Sequence, residues 1–396
     1  MSKICCYRSF PLIPMLFIAL YLCEGFFGLF PLSRIFFPLY FIFFLVDYKN
    51  VTPFTKPLSL LMISMVLSMV SCWLFHQQSI ISSMSGYCTY AAICIFFVLH
   101  HFKIEPKLVE KVIFWMFLIF SICYIYQIMV LPKEIWVKVD EHINMNLPIL
   151  LRRVRMVGMS LAGLGVFLSL NKILVGKKAY LPFFVLGLVV ILLFGFRTLL
   201  AFVLVFSYVM VVRNYGFSYK LLLGFAFLFL VLWLFSLTQF GQDIFGFMME
   251  RQDSDQDFGN KDYIRYTTLF YYYQEHFQNF LEMFLGSGIP DRSSKSAYAL
   301  YYARLEDFGL HYFDWGILGM SWMMGVLSLV SMIWYPIKAF FSKLPKDKVY
   351  LSVWFGYLFA CGFTSAEFVR QGCFLIQGMV LYLITVYSYE KNSCNK

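Results

Sequence analysis

Six arginines and a pair of carboxylates are the residues of this chain best suited to chemistry. Arg152, Arg153, Arg155, Arg197, Arg265 and Arg370 stand at or beside the ends of apolar runs. A guanidinium presents a planar fork of donors that grips a phosphate at two points, which an ammonium cannot do. Fixed in place, such forks suit a phosphorylated substrate. Glu306 and Asp307, followed closely by His311, supply groups able to take a proton from a hydroxyl nucleophile. The plain alternative for these acids is to cap a helix start, which the helix dipole favours. Pairing with Glu367 or Asp307, or snorkelling to lipid headgroups, is the plain alternative for any single arginine.

The elements that must position these residues are hydrophobic. The 396 residues are 61% apolar, 21% aromatic and 14% charged, against about 25% charged in soluble domains. Lipid is therefore the expected solvent, and the expected fold is an all-α polytopic integral membrane protein. About 20 apolar residues span a bilayer. Candidate spans are 9–24, 26–46, 58–75, 79–99, 112–131, 154–171, 179–195, 198–212, 221–240, 309–335, 349–366 and 371–389. Twelve spans put both termini on one side. Sixteen of the twenty lysines then share that side, while ten of the twelve arginines face the other. Retention of Lys and Arg in the cytoplasm makes the lysine side the inner one. The arginines are thus on the side where positive charge is disfavoured, and that placement asks for an anionic ligand. The net charge of +10 is dispersed over short loops, with no basic helix or RNA-reading motif, so nucleic acid is excluded as a partner.

The whole chain, 1–396, reads as a single transmembrane domain with two larger outer loops. The smaller, 132–153, ends in Arg152 and Arg153, with Arg155 just beyond. The larger, 241–308, lies between spans nine and ten and holds eleven of the twenty-two acidic residues. Within it, 262–284 mixes aromatics with charges and predicts a helix of about six turns lying along the interface. Spans 179–195 and 198–212 average about 16 residues, roughly 24 Å of helix, which is short of a hydrocarbon core of about 30 Å. The turn Gly195-Phe196-Arg197 is therefore expected below the outer surface. Met1 to Arg8 and the apolar run after it lack a small-residue cleavage site and read as a retained first helix.

Four segments, in order, resemble the bacterial O-antigen polymerase and ligase superfamily of polytopic glycosyltransferases. They are Arg155-x-x-Gly158, Gly195-Phe196-Arg197-Thr198, Arg265 followed by Leu285-Gly286-Ser287-Gly288, and Glu306-Asp307 leading to Trp315-Gly316-Ile317-Leu318-Gly319. The likeness spans roughly 154–320, less than half the chain, and its motifs are short. It implies transfer of a sugar chain from an undecaprenyl-diphosphate-linked oligosaccharide at the periplasmic face of the inner membrane, with no cofactor and no metal. Membrane lipid is then a partner, and a flippase and a chain-length regulator work alongside. On this reading Arg155, Arg197 and Arg265 are the principal diphosphate ligands, with Arg152, Arg153 and Arg370 beside them. Glu306, Asp307 or His311 stands near the acceptor. Family ligases carry a His-Asn pair some eleven residues before the Gly-Ile-Leu-Gly element. Here that position is Leu305-Glu306, which favours a polymerase.

Other signals dissolve. Asp253-x-Asp255-x-Asp257-x-Gly259 hints at a calcium loop, but its glycine is one place late and its twelfth position is Ile264. Gly286-Ser287-Gly288 follows no strand, so it is not a dinucleotide turn. The ten cysteines avoid both outer loops and form no CxxC pair, so neither a disulfide framework nor a thiolate metal site is expected. The rival readings are an O-antigen ligase and, outside enzymes, a flippase or transporter of lipid-linked oligosaccharide. A transporter keeps its binding residues near the midplane, whereas these charges crowd one face.

Overall fold

Helix starts and stops follow local chemistry. Ser79 accepts from the Ser82 amide and opens a helix, and Pro106 occupies a first turn where no amide proton is needed. Gln77 and Lys103 end their helices in the left-handed conformation, at φ 55° and 50°. The computed structural model describes residues 33–49, 52–136, 154, 156, 158–216, 233–234, 237–238, 242, 264–291, 294–363, 365–370 and 372–394. The helices are α1 (Ser33–Asp47), α2 (Thr55–His76), α3 (Ile80–Ala91), α4 (Ile95–Phe102), α5 (Pro106–Met129), α6 (Ser160–Leu174), α7 (Leu181–Leu193) and α8 (Arg197–Tyr215). They continue with α9 (Ile264–Gln274), α10 (Phe280–Leu285), α11 (Ala297–Asp307), α12 (Gly316–Met324), α13 (Val326–Phe340), α14 (Val349–Cys361) and α15 (Cys373–Cys394). A 3-10 turn joins α3 to α4, and two more, Tyr312–Trp315 and Ala366–Phe368, precede α12 and α15. No strand occurs among the described residues.

Among the described residues, four stretches are long and apolar enough to cross a membrane: Thr55–His76, Ile80–Phe102, Pro106–Met129 and Thr198–Tyr215. Five shorter apolar helices accompany them, among them Ser160–Leu174 and Val326–Phe340. The expected span 9–24, most of 221–240, the calcium-like 253–259 and most of loop 132–153 lie outside the described residues.

Alternate turns gather at opposite ends of the bundle, and hydrogen bonds fix both. At one end Lys348 Nζ contacts Glu110 at 2.6 Å, Arg213 donates to the Phe340 carbonyl at 2.9 Å, and Asn214 donates to Asn171 at 3.0 Å. At the other end the Tyr124 hydroxyl bridges the carbonyls of Val154 (3.2 Å) and Leu193 (3.4 Å). That bridge brings the described Val154, which sits between Arg153 and Arg155 in sequence, beside the α7–α8 turn.

Two expectations are corrected. The apolar run 309–335 is not one span. It breaks at Gly325, where φ is +84°, into α12 and α13. The interfacial stretch 262–284 is likewise two helices, α9 and α10, parted by 275–279. The breaks are related, because the chain leaving α10 inserts into the first one. Ser287 N donates to the Trp322 carbonyl at 3.0 Å and Gly288 N to the Met323 carbonyl at 2.9 Å. Ser64 of α2 donates its hydroxyl to the Met324 carbonyl. A helix end leaves its last carbonyls unpaired, and in hydrocarbon each orphan costs several kcal/mol. Here all three are supplied. The inserted segment is satisfied in turn: Tyr298 donates to the Gly288 carbonyl (3.0 Å), and Gln78 donates to the Ile289 carbonyl and accepts from Asp291 N (2.9 Å each). Gly286 (φ +89°) is required, since a Cβ there would lie 2.4 Å from the Gly325 amide nitrogen.

Candidate active site

The arginine-bearing segments converge on the start of α12. The Trp315 indole donates to the Arg265 carbonyl at 3.1 Å, which ties the first turn of α9 to the residue before Gly316. Ile317 N donates to the Gly362 carbonyl at 2.8 Å. A Cβ on Gly316 (φ +52°) would lie 2.1 Å from that same oxygen, so backbone meets backbone there. The chain from Gly362 leads through the Ala366–Phe368 turn to Arg370. Arg370 Nε donates to Glu367 Oε2 at 3.2 Å, and its guanidinium carbon is 5.7 Å from the Phe196 ring centroid. Phe196 is extended and Arg197 follows as the first residue of α8. Segments 195–197, 265, 315–317 and 362–370 therefore form one neighbourhood.

Among the predicted diphosphate ligands, Arg265 and Arg370 are placed in this neighbourhood with half-buried side chains. Arg197 joins them by its backbone, its side chain lying outside the described residues. Arg152, Arg153 and Arg155 also lie outside them. Glu306 and Asp307 are corrected in one respect: they do not stand at a helix start. They close α11 at its C-terminus, where the Glu306 carbonyl accepts from Gly309 N at 2.9 Å. Acids at that end oppose the dipole, each by about 0.3–1 kcal/mol, so capping does not account for them. Glu306 is half-buried and Asp307 exposed. His311 follows at the mouth of the Tyr312–Trp315 turn, stacked on Phe313 with centroids 5.0 Å apart. Its Nδ1 is buried and makes no hydrogen bond. A Cβ at Gly309 would meet Ile264, the neighbour of Arg265, at 3.3 Å. The 306–311 stretch and the Arg265 helix are thus adjacent, which puts a carboxylate and an imidazole next to the arginine neighbourhood.

Two features of this end go beyond the sequence. One is the burial of Glu367, which is completely enclosed beside Arg370. Burial raises its carboxyl above the usual range, and the Arg370 charge partly offsets that. The other is a histidine cluster. His76, at the end of α2, meets the buried Glu282 of α10 at 2.6 Å and stacks on Tyr298 with centroids 4.1 Å apart. Glu282 also accepts from Gln278 N at 2.7 Å, and Asn279 caps α10 by accepting from Glu282 N. Nearby, His276 shares a 2.9 Å hydrogen bond with Ser287. Tyr272 stacks on Trp322 at 4.5 Å and hydrogen-bonds Tyr302. These contacts clamp the inserted segment 286–288 to α2 and α9. The glycine turn was the only sequence signal for them, because His76 and Glu282 are 206 residues apart.

Burial, and secondarily the nearby His76, pushes the His276 imidazole down to about 3 from an ordinary value of about 6.5. The native state keeps it neutral, so below about pH 6.5 the unfolded chain binds a proton that the folded chain refuses. Stability is therefore full above that pH and falls with acidification, by up to about 1.4 kcal/mol per unit. We expect wild-type protein in detergent to lose about 2 kcal/mol between pH 7 and 5 from this group. His276→Gln keeps a polar partner for Ser287 and should flatten that slope in thermal unfolding. Equal slopes would remove the assignment.

No group of three or more His, Cys, Asp or Glu side chains able to hold a metal occurs among the described residues. No protein-family model, no curated protein and no solved structure matches the chain.

Proposed function

We propose that the chain is a metal-independent membrane glycosyltransferase, a polysaccharide polymerase. It joins undecaprenyl-diphosphate-linked oligosaccharide repeat units at the periplasmic face of a bacterial inner membrane. Twelve spans with both termini in the cytoplasm complete this reading. The observation that carries it is the meeting of the Phe196–Arg197 turn, Arg265 and Arg370 around Trp315–Gly316. Guanidinium groups held where spans meet loop helices suit a substrate whose diphosphate sits at the headgroup level and whose tail stays in the bilayer. They stabilise the diphosphate as it leaves the anomeric carbon. Glu306, Asp307 or His311, beside Arg265, takes the proton of the incoming sugar hydroxyl. O-antigen ligase is the alternative within the same chemistry, and Leu305-Glu306 in place of a His-Asn pair speaks against it. A flippase or transporter is the alternative outside enzymes, and the crowding of charges at one end of the bundle speaks against that.

Deleting the protein from its host and examining surface glycan tests the three together. A polymerase predicts single repeat units on the acceptor lipid and loss of the length ladder. Long chains stranded on the carrier would identify a ligase, and repeat units trapped inside the cell would identify a flippase.

A further inference from the structure

Glu367 is buried completely, yet only half of its carboxylate is satisfied. Oε2 accepts from Arg370 Nε at 3.2 Å, and Oε1 has no hydrogen-bond partner among the described residues. An unpaired carboxylate oxygen in the interior is costly, and an apolar residue in the same space would stabilise the fold as well or better. Packing therefore does not account for a glutamate here, and its effect on Arg370 does. A guanidinium carries five donors in a rigid plane. Glu367 takes the Nε–H alone, and among the described residues neither terminal amino group of Arg370 has a hydrogen-bond partner. Those two amino groups are the edge that grips two phosphate oxygens at once. The Phe196 ring lies 5.7 Å from the guanidinium carbon, so the guanidinium is near the residue that precedes α8. The Arg370 side chain is 16% exposed, enough to be reached from the bundle end.

We propose that Glu367 is a positioning residue: it holds Arg370 through Nε so that the terminal amino pair takes up a phosphate of the lipid-linked diphosphate. This rests on the substrate class proposed above. A lysine at 370 would spend its single ammonium on Glu367 and offer no second edge, so the pair demands an arginine.

The test uses the full chain purified in detergent, with farnesyl diphosphate as probe and farnesol as its uncharged control. Wild type should prefer the diphosphate by about tenfold or more, the worth of a charge-assisted hydrogen bond or two. E367A should weaken farnesyl diphosphate by about tenfold and leave farnesol unchanged, while E367Q, whose amide oxygen still accepts Nε–H, stays within about threefold. In an R370A background E367A should cause no further loss, because Glu367 acts only through Arg370. Thermal unfolding reports whether each variant is folded. If E367A is not, R370K decides: it keeps the ion pair and should still lose the preference. Wild-type affinity in E367A, an equal loss in the R370A background, or full affinity in R370K overturns the role of Glu367. A wild type that does not distinguish the diphosphate from farnesol overturns the substrate class instead.

Discussion

Arg197→Lys should lower the rate of glycan polymerisation by a factor on the order of 10²–10³, the usual loss when one fixed donor to a developing oxyanion is removed. The variant should still insert into the membrane and fold. Arg197 is the first residue of α8, where the amide protons of the opening turn are unpaired and the helix dipole is positive. A cation at that position is opposed by the dipole. An anion bound at the same place is attracted by the dipole, the amides and the guanidinium together. Lysine keeps the charge and loses the planar fork, so the substitution separates bidentate grip from simple attraction. The measurement is turnover of a lipid-linked repeat unit by membranes, normalised to inserted protein. Wild-type turnover in Arg197→Lys would remove the fork from the mechanism.

Gly319→Ala should be among the most damaging methyl groups that can be added to this protein. A Cβ on Gly319 would lie 1.6 Å from the Tyr312 carbonyl oxygen and 2.6 Å from its carbon. Both atoms are backbone, so no rotamer change relieves the clash, and the Tyr312–Trp315 turn must move off α12. Overpacking of this kind costs about 3 kcal/mol or more, a large share of the stability of a typical domain. Trp315 and its bond to the Arg265 carbonyl would move with the turn, so any protein that does fold should lose activity as well. Gly176→Ala is the control. It has positive φ (+93°) but nothing within 4 Å of the added carbon, and should cost only about 1 kcal/mol from backbone strain. Thermal unfolding in detergent, with recovery of monodisperse protein, compares the two. Equal behaviour would mean that Tyr312 and Gly319 are not in contact.

The contrast between these two substitutions marks what the amino-acid order reveals. The family resemblance singled out Gly316 and Gly319 together with Trp315, but the reason for the glycines is a carbonyl at 312 and another at 362, which no local pattern announces. Helices such as Thr55–His76 and Pro106–Met129 were legible, because an apolar run of sufficient length has few alternatives in lipid. The break at Gly325 was not, since 309–335 is continuously apolar and its interruption is imposed by residues 286–288 arriving from elsewhere. The acids at 306–307 were legible as unusual, yet their helix lies before them rather than after. Glu367 looked like a simple counterion to Arg370. Its half-satisfied carboxylate depends on how α14 and α15 close over it, which is decided by packing.

The splice of Gly286–Gly288 into the α12–α13 break also bears on how this protein is assembled. Residues 287 and 288 leave the ribosome before Trp322, Met323 and Met324, whose carbonyls need them and Ser64 as partners. Neither half of the broken helix can settle in hydrocarbon by itself without those carbonyls exposed. In a bilayer, segment 286–288 would therefore have to fold back before α12 could settle there, so that insertion of this helix and closure of the segment onto it would be one event.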